Sequence, residues 1–298
     1  MGHNLLKFPN VQEMFKLASE ILGYDLLKLC LEGPKSELDK TRHSQAAVLV
    51  TSLAAVEKLK DERPLAVENC VATAGFSVGE FTALTFAGAL SFEEAVRLVK
   101  IRGEAMQAAS ELTPSGMMTV FYRPDAKINF ACHAAEEWCI RKGLQDPVCK
   151  VANFLFPHCK VIAGNEEALK FIEMNAEDFG IRRIKHLAVS GAFHTNLMKP
   201  AQLVLKEALK QCKINPPLIS VHSNVDGKHY RNADIICKNL SKQLCSPVKW
   251  EQIMHIIYER PSTTSFPRTF ECGPGQSLRT ILKMVNAKAW DTSFLVGV

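Results

Sequence analysis

The chain is most constrained by one run of residues. The apolar stretch Cys70-Val71-Ala72-Thr73-Ala74 leads into Gly75-Phe76-Ser77-Val78-Gly79, and a helix-forming stretch from Glu80 to Ala87 follows. Strand, Gly-x-Ser-x-Gly, helix is the pattern of a nucleophile elbow. Small residues on either side let the backbone turn sharply, which leaves the serine hydroxyl exposed at the strand's end. The amides that come next open a helix, where N–H groups and the helix dipole stabilise an oxyanion. Such a turn equips Ser77 for attack on an acyl carbonyl. The same five residues also suit a plain strand-to-helix turn, so other residues have to decide between the two.

A serine nucleophile needs a base within hydrogen-bond reach, and histidine has the suitable pKa. Of the nine histidines, His194 and His222 stand at the ends of apolar strands, and the residues alone leave that choice open. His194 lies in Ser190-Gly191-Ala192-Phe193-His194-Thr195, after the strand-like run Ile184 to Val189 and before a helix starting near Lys199-Pro200. A further helix starts at Ser91, with Glu94 three residues on completing a capping box. Its Val99, Arg102 and Met106 share one face. An arginine between apolar neighbours either snorkels outward or is aimed at an anion.

The rest of the chain places these features. Helices are expected over Val11 to Leu22 and Ser44 to Lys60, ahead of the elbow. After a break at Thr113-Pro114-Ser115-Gly116 the rhythm changes to strand (117–122), helix (125–142), two short strands (148–153 and 160–163), helix (166–179) and strand (181–189). That βαββαβ order is ferredoxin-like. Helix 199–212, strand 218–223, helices near 232–244 and 249–259, strand 269–272 and helix 275–285 then resume an α/β pattern. The expected fold is therefore α/β: an α/β-hydrolase-like large subdomain (1–115 and 188–298) with an inserted ferredoxin-like small subdomain (116–187). A ligand cleft is expected between them.

Composition narrows the function classes. No apolar run approaches the roughly 20 residues of a membrane-spanning helix. The net charge of +5 comes without the dense Lys/Arg tracts of a nucleic-acid binder; Arg182-Arg183-Ile184-Lys185-His186 is the most basic stretch. The ten cysteines form no Cys-x-x-Cys pair, so free thiols are expected rather than disulfides or a metal site.

Six segments together resemble the malonyl-CoA:acyl carrier protein transacylases, most closely the form of animal mitochondria. They are AGFSVGEFTAL (74–84), VKIRGEAMQ (99–107), VSGAFHTNLMKPA (189–201), SNVDG (223–227), QLCSPVKWEQIM (243–254) and FECGPGQSL (270–278). Their order and spacing match across nearly the whole chain. The resemblance implies that Ser77 is acylated, that His194 is its base, and that Arg102 pairs with the malonyl carboxylate. It implies that Gln243 orients His194 through its backbone carbonyl, that the Val78 amide is one oxyanion donor, and that Asn224 has a supporting role. Ala192-Phe193-His194 keeps the pattern that goes with malonyl substrates, which puts Phe193, along with Met106 beside Arg102, at the substrate. Phe76 stands where bacterial members have histidine. The family opens with an apolar strand and a Gly-Gln-Gly-x-Gln loop, and Met1-Gly2-His3-Asn4 matches the segment just after that loop. A chain lacking that loop is expected to have reduced activity.

The expected activity is transfer of a malonyl group from malonyl-CoA, through a malonyl-serine, to the phosphopantetheine thiol of an acidic acyl carrier protein for fatty acid synthesis. Malonyl-CoA is then a substrate and phosphopantetheine belongs to the partner, so no cofactor and no metal are expected. The expected location is the mitochondrial matrix. A serine thioesterase or esterase would carry the same elbow, and an inactive homologue acting as a binding protein is the third alternative.

Overall fold

A computed structural model describes residues 1–261 and 263–298. The N-terminal part is helical: α1 (Val11–Leu22), α2 (Leu26–Glu32), α3 (Lys35–Leu38), α4 (Thr41–Glu62) and α5 (Pro64–Glu68). In α1 the buried residues Val11, Phe15, Ala18 and Leu22 form one stripe, as their spacing predicts, and Met14 lies half-buried beside it. α4 starts three residues before the expected Ser44 and is buried almost all round, so it runs through the core rather than along the surface.

Next come β1 (Ala72–Thr73), α6 (Gly79–Phe86) and α7 (Phe92–Glu111). Ser91 caps α7 by accepting from the Glu94 N–H at 3.2 Å. Gly103 lets α7 lie close against α4: a Cβ there would be 3.1 Å from the Arg42 Cα. This close packing brings the side chains of Gln45 and Arg102 together.

β2 (Ser115–Tyr122), α8 (Ile128–Arg141), β3 (Cys149–Phe156), β4 (Cys159–Asn165), α9 (Glu166–Met174) and β5 (Ile181–His186) follow. The strands lie in the order β5-β2-β4-β3, each antiparallel to its neighbour. α8 and α9 cover one face of the sheet, where Ile128 and Ile172 of the helices meet Met118, Val120 and Ile162 of the strands. The other face, through Met117, Ala152, Val161 and Ala163, meets Ala192, Phe193 and Leu197 from beyond the sheet.

The remainder holds α10 (Lys199–Lys210), β6 (Ser220–Val221), α11 (Ala233–Gln243), β7 (Val248–Lys249), α12 (Trp250–Tyr258), β8 (Thr269–Cys272), α13 (Ser277–Val285), α14 (Ala287–Asp291) and β9 (Ser293–Val296). Several expectations are corrected here. β7 pairs in parallel with β3, so the small sheet takes a fifth strand from outside 116–187. The strand expected to reach Val189 stops at His186; the Leu187 N–H still donates to the Met117 carbonyl, and Ala188 and Val189 then turn off to line the site. β1 and β6 pair over two residues only, and β8 with β9 forms a separate parallel pair. Between β1 and β8 runs an open trough of about 1060 Å³, floored by apolar residues such as Phe76 and Trp250.

Candidate active site

The elbow is built by local sterics and one long-range clamp. Ser77 has φ 52°, in the left-handed region that a non-glycine residue adopts at a cost. A Cβ on Gly75 would lie 1.8 Å from the Gly79 carbonyl oxygen, so the turn admits only glycine there. At Gly79 a Cβ would meet nothing within 4 Å, so the two glycines of the motif are not equivalent. Asn224, in the loop after β6, holds the turn from both ends. Its Oδ1 accepts from the Ser77 N–H at 2.7 Å, and its Nδ2 donates to the Gly75 carbonyl at 2.8 Å. The Val78 N–H, at the mouth of α6, donates to no acceptor among the described residues.

His194 arrives from the other side on a second strained backbone, φ 62°. Its loop is pinned by Gly191 against Ser110, where a Cβ would be 2.3 Å from the hydroxyl, and by the Ala192 N–H donating to Ser115 Oγ at 3.2 Å. The ring bridges Ser77 Oγ, 2.9 Å from Nε2, and the Gln243 main-chain carbonyl, 2.8 Å from Nδ1. A carbonyl only accepts, so this contact puts the proton on Nδ1 and turns the Nε2 lone pair toward the serine. Burial, and then the Arg102 charge, push the imidazole down to about 4. It is therefore neutral and able to take a proton. His222, the other candidate, turns away, with its Nδ1 3.0 Å from the Gly227 carbonyl.

Arg102 is 1 % exposed, so it does not snorkel. Its Nη2 donates to Ser77 Oγ at 3.0 Å and to Gln243 Oε1 at 2.8 Å, its Nη1 donates to Gln45 Oε1, and its guanidinium lies 5.7 Å from the Phe81 ring centre. Its Nε has no partner among the described residues. Desolvation lowers the guanidinium to about 10 while the Glu80 charge opposes that shift, so it stays cationic at neutral pH.

A cavity of about 350 Å³ opens on Ser77, with Val78, Arg102, Met106, Phe193 and Gln45 in its wall. Asn224 and Gln243 stand behind it and act on it through Ser77, His194 and Arg102. The trough beyond β1 is larger but contains neither Ser77, His194 nor Arg102, so the chemistry belongs to the smaller space. Among the described residues no group of three or more His, Cys, Asp or Glu side chains is arranged to hold a metal, and the ten cysteines are free thiols.

Sequence reasoning missed Gln45, Glu80 and Tyr230. Gln45 accepts from Arg102 and donates to Met106 Sδ at 3.3 Å. Glu80 is fully buried and bonded to Tyr230, Asn224 and Gln243. Burial lifts Glu80 to about 7 against the downward pull of those three partners and of Arg102. One usable signal was a glutamine before the apolar run Ala46-Ala47-Val48-Leu49-Val50, a polar residue where the helix is otherwise core.

The family model of the acyl transferase domain matches residues 1–263. The chain is 54 % identical over 296 residues to the probable malonyl-CoA-acyl carrier protein transacylase, mitochondrial, of Drosophila melanogaster, covering 99 % of this chain and 78 % of that protein. It is 54 % identical over 298 residues to the mitochondrial malonyl-CoA-acyl carrier protein transacylase of Homo sapiens, covering all of this chain and 76 % of that one. Among solved structures, the malonyl CoA-acyl carrier protein transacylase of Coxiella burnetii superposes with a TM-score of 0.86 at 32 % identity, over 98 % of this chain and 87 % of that one.

Proposed function

The chain belongs to the acyl transferase family, and from that membership we infer that it transfers a malonyl group from malonyl-CoA to the thiol of an acyl carrier protein, for fatty acid synthesis. It is an acyltransferase, and it is mitochondrial like its fly and human relatives.

In this mechanism Ser77 Oγ attacks the thioester carbonyl while His194 Nε2 takes the hydroxyl proton. The Gln243 carbonyl steadies the resulting imidazolium through Nδ1–H. Negative charge on the former carbonyl oxygen develops beside the free Val78 N–H at the start of α6. Collapse breaks the carbon–sulfur bond, and His194 returns the proton to the departing CoA sulfur. The carrier protein's thiol then gives its proton to His194, attacks the malonyl-serine, and releases Ser77 with that proton.

Arg102 carries the reading. A cation 3.0 Å from the nucleophile suits an acyl group bearing its own carboxylate, and an acetyl group would leave it without that charge partner. A guanidinium offers a carboxylate a planar fork, which an ammonium does not.

Labelled malonyl-CoA, incubated with and without carrier protein, tests the assignment. Label on the carrier is the expected outcome. Free malonate without labelled carrier would make the protein a hydrolase, and unchanged malonyl-CoA would make it a binding protein.

A further inference from the structure

The mechanism above makes no use of Glu80, yet this carboxylate joins its parts. Glu80 is in the first turn of α6, where the helix N-terminus favours a negative charge. One oxygen accepts from the Tyr230 hydroxyl at 2.6 Å and from the Asn224 N–H at 3.1 Å. The other accepts from the Gln243 side-chain amide. Three donors converge on two oxygens, an arrangement that the ionised form of the carboxylate, which predominates above about pH 7, satisfies and an amide does not.

The consequence falls on Gln243. A glutamine amide has a donor end and an acceptor end of nearly the same shape, so its partners decide which way it faces. The Gln243 Nε2 is taken by Glu80 and by the Ser77 carbonyl, the latter at 3.0 Å. Its Oε1 is thereby turned to Arg102 Nη2. We propose that Glu80 is a positioning residue for acyl selection: by fixing the Gln243 amide it sets the angle at which the Arg102 fork meets a substrate carboxylate. This inference rests on the malonyl-transfer reading.

An isosteric Glu80→Gln breaks the arrangement whichever way the new amide turns. Facing Gln243 with its NH₂ sets donor against donor. Turning Gln243 over to relieve that presents its NH₂ to Arg102 and its oxygen to the Ser77 carbonyl. Facing Asn224 instead leaves that buried N–H without an acceptor. A carboxylate that served only to hold the fold together would, when lost, slow transfer of every acyl group alike.

The test measures kcat and KM for malonyl-CoA and acetyl-CoA, with carrier protein as acceptor, in wild type, Glu80→Gln, Tyr230→Phe, Gln243→Ala and the Glu80→Gln/Gln243→Ala pair. Glu80→Gln is expected to lower malonyl kcat/KM by roughly 10- to 100-fold, the scale of one charged hydrogen bond, with KM moving more than kcat and acetyl transfer little changed. In the Gln243→Ala background the same substitution should add no further loss of selectivity. Tyr230→Phe removes one donor without altering shape and should move the ratio in the same direction by less; it decides the matter if Glu80→Gln does not fold. An unchanged malonyl-to-acetyl ratio in the folded Glu80 and Tyr230 variants, or additive losses in the double variant, overturns the role of Glu80 while wild-type malonyl transfer keeps the functional reading intact. A wild type inert toward malonyl-CoA overturns both.

Discussion

The side chains behind Ser77 and those beneath α8 and α9 are equally buried, yet they are made of opposite materials. Arg102, Glu80, His194, Asn224 and Gln243 are each at most 4 % exposed, and each bonds to at least one of the others or to Ser77. Under the small sheet the buried residues are Met118, Val120, Ile128, Ile162 and Ile172 with the thiols Cys132, Cys139 and Cys149. Burying unpaired charge is costly, so the first interior holds together only as a complete network. The second gains from every buried methylene and depends on no single partner. Substitutions in the first region should therefore read out in chemistry, and those in the second in stability.

Ser77→Ala should have the largest effect. Removing a serine nucleophile lowers turnover to on the order of a millionth. Intact-mass measurement after exposure to malonyl-CoA should find no adduct; an adduct mapped to a cysteine would remove Ser77 from its role.

His194→Ala comes next, with an expected loss of about 10²–10⁴-fold, the scale of general-base catalysis. His222→Ala should cost stability and leave the chemical step alone, since its ring serves the loop at Gly227. Equal rate losses in the two would leave the base unassigned. The pH profile adds a second check. The base must be neutral, and its pKa is depressed to about 4, so activity persists as pH falls and drops only on approaching pH 4. Because the Arg102 charge contributes to that depression, Arg102→Ala should move the acid limb to higher pH.

Arg102→Ala should also lower malonyl transfer relative to acetyl transfer by roughly 10- to 100-fold, the worth of one charged hydrogen bond. Arg102→Lys should recover only part of the difference, because it keeps the charge without the fork. An unchanged ratio of the two rates would take Arg102 out of substrate recognition.

Ile162→Ala, under the small sheet, should have the smallest effect on catalysis. It should destabilise the protein by about 2–5 kcal/mol, as deletion of a buried aliphatic side chain does, with kcat unchanged well below the melting temperature. Denaturant titration beside a rate assay checks both halves. A fall in kcat without loss of stability would show that the small sheet acts on the chemistry directly.

The two regions also differ in how far the sequence revealed them. The strand–turn–helix around Ser77, the N-cap at Ser91 and the strand and helix order from 115 to 186 rest on signals only a few residues long, and each is close to where it was expected; the Glu94 carboxylate, expected to complete a capping box, pairs with Arg97 instead. β7 was missed because two residues are too short for periodicity to show. The division of the parallel strands into two separate pairs was missed because pairing partners are remote in sequence. The choice between His194 and His222 stayed open at the level of residues because both stand at strand ends. Only the fold points one of them at Ser77.

By itself the sequence determined what local sterics dictate: a sharp turn of small residues that exposes Ser77, a capped helix presenting Val99, Arg102 and Met106 together, and a chain rhythm that encodes a small antiparallel sheet. Tertiary structure decided which polar groups meet. Arg102 reaches Gln45 across 57 residues of sequence and Gln243 across 141, and Gln243 reaches Glu80 across 163. Backbone preferences act over one turn of helix or strand, whereas a buried charge takes its meaning from whatever the fold brings within 3 Å of it. Arg102 read as either a surface or an anion-binding residue until the packing of α4, α7 and α11 closed around it.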